Sequence, residues 1–116
     1  MKRQAESAQT GTDPLIMMFL DALVAMRAVS ANTLAAYRRD LSDTNQLLHL
    51  GKTNLSDCSA DDLRHVIFLW HQRGLSARSV ARRLSAIRQF MGWAVDDHIR
   101  TENPSRWIDN PSLPAP

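Results

Sequence analysis

The sequence predicts an all-α fold with four helices and a short helical turn near its C-terminus. In four segments, hydrophobic residues recur at the three- and four-residue spacing of an amphipathic helix, and no segment alternates as a half-buried strand does. Serine, proline and glycine stand at the ends of these segments, where helices begin and end. A chain of 116 residues that is 44% hydrophobic suits one compact domain.

The first two helices are predicted at residues 13–27 and 30–49. Thr12 or Asp13 can cap the first helix, because Pro14 then takes the first helical position, where an N–H has no helical partner in any case. The expected buried stripe of this helix is Leu15, Ile16, Phe19, Leu23 and Met26. The expected stripe of the second helix is Leu34, Tyr37, Leu41 and Leu48.

The third helix is predicted to begin at Ser59, because the sequence SADD places an acid at its third helical position, and to end before Gly74. The fourth is predicted from Ser76 to about residue 97, with one further helical turn from Pro104. The expected core face of the fourth helix is Val80, Leu84, Ile87, Met91, Ala94 and Val95. We expect packing, and not base stacking, for the three tryptophans, Trp70, Trp93 and Trp107.

The opposite face of the fourth helix is predicted to carry a ridge of arginines. Residues 75–95 contain four arginines and no Asp or Glu, so the acid–base pairs that usually lace a solvated helix are missing. A solvated face is the alternative interpretation, because exposed helix faces are commonly charged. We expect the charge to be left unpaired for a partner, since Arg, Ser and Gln reach phosphates and base edges. This arginine ridge consists of Arg78, Arg82, Ser85 and Gln89, flanked by Arg83 and Arg88.

The second helix carries a weaker signal of the same kind. Its far side is expected to hold Ala35, Arg39, Ser42 and Gln46, with Arg38 and Asn45 near the core boundary. Small residues beside an arginine would let this backbone lie close to a duplex. Asp40 and Asp43 are expected to dilute the positive charge.

Composition and spacing argue against several classes of protein. The formal net charge is only +2, so a role with nucleic acid depends on where the arginines lie. The single cysteine, Cys58, cannot form an intramolecular disulfide, and the four histidines lack zinc-ligand spacing. There is no glycine-rich phosphate loop, no nucleophile elbow and no apolar run of the ~20 residues that a membrane span needs. We therefore expect a cytoplasmic protein with no cofactor, metal, small-molecule ligand or membrane partner.

Three short motifs resemble those of a known family. They are S-x-x-T-x-x-x-Y-x-x-D-L from Ser30 to Leu41, R-x-x-S-A-I-R from Arg82 to Arg88, and N-P at Asn103. In this order the chain resembles, over about residues 13–114, the N-terminal core-binding domain of Xer-type tyrosine site-specific recombinases, closest to the XerD-like members.

The resemblance implies a four-helix SAM-like bundle that forms one half of a clamp around DNA, with the second and fourth helices in the major groove. The implied partners are a double-stranded recombination site and a related recombinase subunit, and the implied process is strand exchange that resolves chromosome dimers before cell division. From the helical wheels and the resemblance together, the candidate DNA contacts are Thr33, Arg38, Arg39, Ser42, Arg78, Ser79, Arg82, Arg83, Ser85, Arg88 and Gln89.

The sequence and the resemblance together predict the domain organisation. Residues 1–12 are predicted to be a disordered N-terminus, 13–108 the DNA-binding domain, and 109–116 the start of a linker to a catalytic domain. The chain has no His-x-x-Arg motif and only one tyrosine, Tyr37, so we expect no DNA cleavage by these residues. Two other functions stay open at this point: a helical protein-interaction module and a stand-alone helix-turn-helix regulator.

Overall fold

The computed structural model of the protein describes residues 13–27 and 29–109. Within them lie four α-helices, α1 (Pro14–Ala25), α2 (Ala31–Leu50), α3 (Ala60–Gln72) and α4 (Ala77–Asp96), followed by a 3-10 helix (Pro104–Trp107). No strand occurs in these two ranges, so the predicted all-α class is confirmed. The predicted N-terminal tail and nearly all of the predicted linker lie outside the described residues. No helix of the described part is both long and apolar enough to cross a membrane.

The helices begin where the sequence predicts, because their caps are side chains that the sequence displays. The four caps are Asp13, Ser30, Ser59 and Ser76. At α3 the cap is reciprocal: Asp62 N donates to Ser59 Oγ over 3.1 Å, and Ser59 N donates to Asp62 Oδ2 over 2.9 Å. The other candidate for the first cap, Thr12, lies outside the described residues.

The helices pack around a cluster of aromatic rings that joins α1 to α2 and α4. The ring of Phe19 on α1 meets Phe90 edge-on at a centroid distance of 5.6 Å and stacks on Tyr37 at 6.2 Å. Trp93 packs against the same two phenylalanines, and Trp70 is completely buried. These contacts fix α2 and α4 relative to one another and so position the surface that the two helices share.

Five details of the predicted core are wrong. Val95 is only half-buried and is not packed against the buried cluster. Met26 is 66% exposed, because α1 ends at Ala25 and Met26 only caps it. Trp107 is 67% exposed on the 3-10 helix, so it does not pack as predicted. Ala86 and Phe90 are fully buried although the predicted face omitted them, since α4 is covered by α1, α2 and the 3-10 helix and not on one side alone.

Candidate nucleic-acid interface

The arginine ridge lies on α4 beside α2, and an ion pair joins the two helices there. Nε and Nη2 of Arg82 donate to the two carboxylate oxygens of Asp40 on α2, over 3.1 and 3.0 Å. Asp40 is 3% exposed, whereas the side chain of Arg82 is 52% exposed. A buried carboxylate therefore holds an arginine whose other edge reaches the surface.

The second acid of α2, Asp43, is the centre of a larger cluster. Arg83 on α4 donates to it, Trp70 Nε1 donates to it over 3.3 Å, and Arg73 Nη1 lies 3.6 Å from it. The guanidinium of Arg83 also lies over the Trp70 ring, 5.3 Å from the ring centroid, which adds a cation–π contact. Only 19% of the Arg83 side chain is exposed, so this arginine mainly ties α4 to α2 and α3.

The expected unpaired charge is therefore wrong for part of the ridge. Arg82 and Arg83 pair with acids of α2, and Arg88 Nη2 donates to the backbone oxygen of Ile108 over 2.6 Å. The acids that pair with Arg82 and Arg83 stand on α2, 42 and 40 residues away in the sequence, so the absence of acids from residues 75–95 does not leave these two arginines unpaired.

The remaining arginines of the two helices are exposed. Arg38, Arg39 and Arg78 have no hydrogen bond or ion pair with any residue in the described ranges. Ser85 and Gln89 are exposed beside them on α4. We use the name α2–α4 face for the exposed side chains Arg38, Arg39, Arg78, Arg82, Ser85 and Gln89.

The other candidate contacts are less accessible. Thr33 and Ser79 lie in the first turns of α2 and α4, where their hydroxyl oxygens accept from the cap hydroxyls of Ser30 over 3.1 Å and Ser76 over 3.2 Å. Ser42 is half-buried. These three side chains therefore present less surface to a partner than the α2–α4 face does.

The acids of α2 lower the positive charge of the two helices, as expected, and they do so by pairing with arginines of α4: Asp40 with Arg82, and Asp43 with Arg83. Asp40 and Asp43 are the only acids of α2, and both accept hydrogen bonds from α4. Their charges are thus neutralised between the helices, and Arg38, Arg39 and Arg78 carry the exposed charge. No group of three or more His, Cys, Asp or Glu side chains suited to a metal ion occurs among residues 13–27 and 29–109.

Comparison with known proteins identifies the family of this chain. The sequence model described as phage integrase, N-terminal SAM-like domain, matches residues 16–98. The chain belongs to this family. The predicted SAM-like bundle is confirmed, and so is the resemblance to the N-terminal domain of tyrosine recombinases.

Curated relatives of this SAM-like domain are tyrosine recombinases. XerD of Rhizobium meliloti (strain 1021) is 43% identical over 93 residues, which are 80% of the chain and 30% of the relative. XerD of Proteus mirabilis is 34% identical over 109 residues, 94% of the chain and 35% of the relative. XerC of Bifidobacterium longum (strain DJO10A) is 36% identical over 109 residues, 93% of the chain and 30% of the relative. The chain thus spans about a third of the length of these relatives. No solved structure matches it.

The family match also bears on the helix-turn-helix alternative. Residues 73–76 alone connect α3 to α4, which is the length of the turn in such a motif. The short connection is therefore compatible with both interpretations, and the family match over residues 16–98 favours the recombinase domain.

Proposed function

We propose that this SAM-like domain binds duplex DNA through the α2–α4 face, with α2 and α4 directed at the major groove. The observation that carries the proposal is the charge distribution: Arg38, Arg39 and Arg78 are exposed, whereas both acids of α2 are neutralised between the helices. Exposed arginines on adjacent helices attract phosphates and steer a duplex toward this side of the domain.

We propose that the protein which contains this domain is a tyrosine recombinase that exchanges strands at a specific DNA site and so resolves chromosome dimers. Its relatives carry the name tyrosine recombinase, and this chain corresponds to their N-terminal domain. In the recombinase bound to its DNA site, this domain binds and orients the duplex. A related recombinase subunit occupies the neighbouring half of the site.

The proposal is tested by the salt dependence of DNA affinity. Fluorescence anisotropy of a labelled duplex is measured against protein concentration at several salt concentrations. If Arg38, Arg39 and Arg78 each neutralise one phosphate, the logarithm of the association constant should fall against log salt with a slope of about −2.7, from ~0.9 per contact. A flat response, or no binding at low salt, contradicts the proposal.

A second candidate function, protein interaction, is favoured by the outer face of α1. Met18, Val24 and Met26 are 48%, 55% and 66% exposed, and Asp21 is the only charged residue of this helix. Large apolar side chains that are exposed to solvent can mark a protein-interaction site. Asp21 and Arg27 are exposed and make no ion pair within the described residues, so two copies of α1 in antiparallel register would bring unlike charges together.

We therefore propose a second copy of this chain as the partner of the α1 face. Sedimentation velocity over a range of concentrations should show reversible self-association that Val24→Glu abolishes, with Arg106→Glu as an exposed control on the 3-10 helix. A monomer at all concentrations would rule out this candidate and leave the DNA-binding proposal standing.

A further inference from the structure

The hydrogen bonds between Arg82 and Asp40 leave one edge of the guanidinium group available. An arginine has five N–H donors in a planar fork. Nε and Nη2 of Arg82 each use one N–H on the carboxylate of Asp40, over 3.1 and 3.0 Å. Of the donors that remain, the second N–H of Nη2 and one N–H of Nη1 point in parallel from the terminal Nη1–Nη2 edge of the same plane, which we call the outer edge.

The carboxylate that holds this plane is itself fixed. Asp40 is 3% exposed on α2, and within the described residues its carboxylate accepts hydrogen bonds from Arg82 alone. Two parallel hydrogen bonds fix both the position and the rotation of a guanidinium group, whereas a single hydrogen bond leaves the group free to rotate. Asp40 therefore orients the outer edge of Arg82 before any partner arrives.

The outer edge of Arg82 matches one base in particular. Parallel N–H donors on neighbouring nitrogens of arginine pair with O6 and N7 of guanine, and this is the most common specific contact in the major groove. Arg78 has no partner that fixes its plane, which suits a phosphate contact. Arg83 is largely buried against Asp43 and Trp70, so it is poorly placed to reach a base.

We propose that Arg82 reads a guanine through its outer edge and that Asp40 is the positioning residue that makes this contact specific. This inference rests on the proposed function, because it requires the α2–α4 face to meet the major groove. It assigns base recognition to Arg82 and general attraction to Arg38, Arg39 and Arg78.

The test measures discrimination between bases as well as affinity. Duplexes are selected from a random-sequence library with the wild-type chain, and each enriched guanine is then replaced in turn by 7-deazaguanine, which lacks the N7 acceptor. At one position the wild type should lose affinity by about five- to tenfold, within the range expected for an arginine–guanine contact. Circular dichroism first establishes that each variant is folded at the temperature of the assay.

Three variants separate positioning from fold and charge. Asp40→Asn keeps the shape of the side chain but places an amide N–H₂ against the guanidinium, so the 7-deazaguanine effect should fall below about twofold while salt-dependent binding persists. Arg82→Lys keeps the charge but lacks the planar fork, so it should lose the effect as well. Arg78→Gln should weaken binding to all duplexes and retain the effect.

The outcomes distinguish this inference from the proposed function. Salt-dependent binding without sensitivity to 7-deazaguanine at any position overturns the reading of guanine by Arg82 and leaves DNA binding intact. An undiminished effect in folded Asp40→Asn overturns the positioning role of Asp40. The absence of salt-dependent binding overturns both proposals.

Discussion

Arg82 of α4 and Asp40 of α2 form a two-point hydrogen-bonded ion pair in which the acid is buried and the base is half exposed. The pair has a structural consequence independent of DNA. Removing one partner of a buried ion pair leaves the other charge without compensation in a place from which water is excluded.

Replacing Arg82 should therefore destabilise the domain. We expect Arg82→Ala to lower the free energy of unfolding by about 2 kcal/mol, which is less than the ~3–5 kcal/mol of a fully buried pair because Arg82 itself is half exposed. Arg78→Ala is the matched control, and it should change stability by less than about 0.5 kcal/mol because Arg78 is exposed and has no partner in the described part of the chain. Urea unfolding followed by circular dichroism measures both. Equal stability of the two variants would show that the Asp40 carboxylate is solvated.

Replacing Arg78 should change DNA affinity and leave the fold unchanged. We expect Arg78→Gln to make the slope of log affinity against log salt shallower by about 0.9, because one phosphate contact is lost. The control is Arg27→Gln, which removes the same charge beyond the end of α1, outside the α2–α4 face. Equal loss of slope in both variants would indicate that only net charge matters and would contradict a defined binding face.

The connection between α3 and α4 should be sensitive to a side chain at Gly74. Its φ is +84°, a conformation that L-residues seldom adopt, although an added Cβ would meet no atom within 4 Å. We expect Gly74→Ala to destabilise the domain by about 1 kcal/mol through backbone strain alone. Gly92→Ala, inside α4 and equally free of clashes, should instead stabilise it by about 0.5–1 kcal/mol. Thermal unfolding of the two variants checks the sign of each change, and a stabilising Gly74→Ala would contradict this explanation.

The buried cysteine should make stability decrease at high pH. Burial raises the pKa of the Cys58 thiol above its ordinary 9.0, and the nearby guanidinium of Arg100 opposes this rise only in part. The unfolded chain therefore loses the thiol proton at a lower pH than the folded chain does. The protonated, buried thiol contributes its full share of the folding stability below pH 9, and this share is lost as the pH rises above 9. The free energy of unfolding should thus fall more steeply above pH 9 in the wild type than in Cys58→Ala. Parallel pH profiles would contradict the assignment.

Much of the fold could be predicted because its signals are local. Ser30, Ser59 and Ser76 cap the helices that follow them, and Gly74 ends α3, as the sequence patterns predict. The predicted end of α1, at residue 27, lies two residues too late, because nothing in the sequence there marks a stop. That difference explains the exposed Met26.

The composition of the candidate site could be predicted only in part, because its ion pairs connect distant segments. The absence of acids from residues 75–95 predicts unpaired charge, but the acids that pair with Arg82 and Arg83 stand on α2. A helical wheel describes one helix at a time and contains no information on its neighbour. The sequence shows that Asp40 and Asp43 are the only acids of α2. That both acids lie on the side facing α4 follows only from the packing of the two helices.

A chemical-shift titration shows directly whether α2 and α4 form the DNA-binding surface. The isotope-labelled chain is titrated with a short duplex that carries a Xer-type recombination site, at two salt concentrations, and amide and arginine Nε–H signals are followed. We expect salt-sensitive shifts on the exposed residues of α2 and α4, among them Arg39, Arg78 and Arg82, with little change on α1. Shifts confined to α1, or none at low salt, would contradict this expectation.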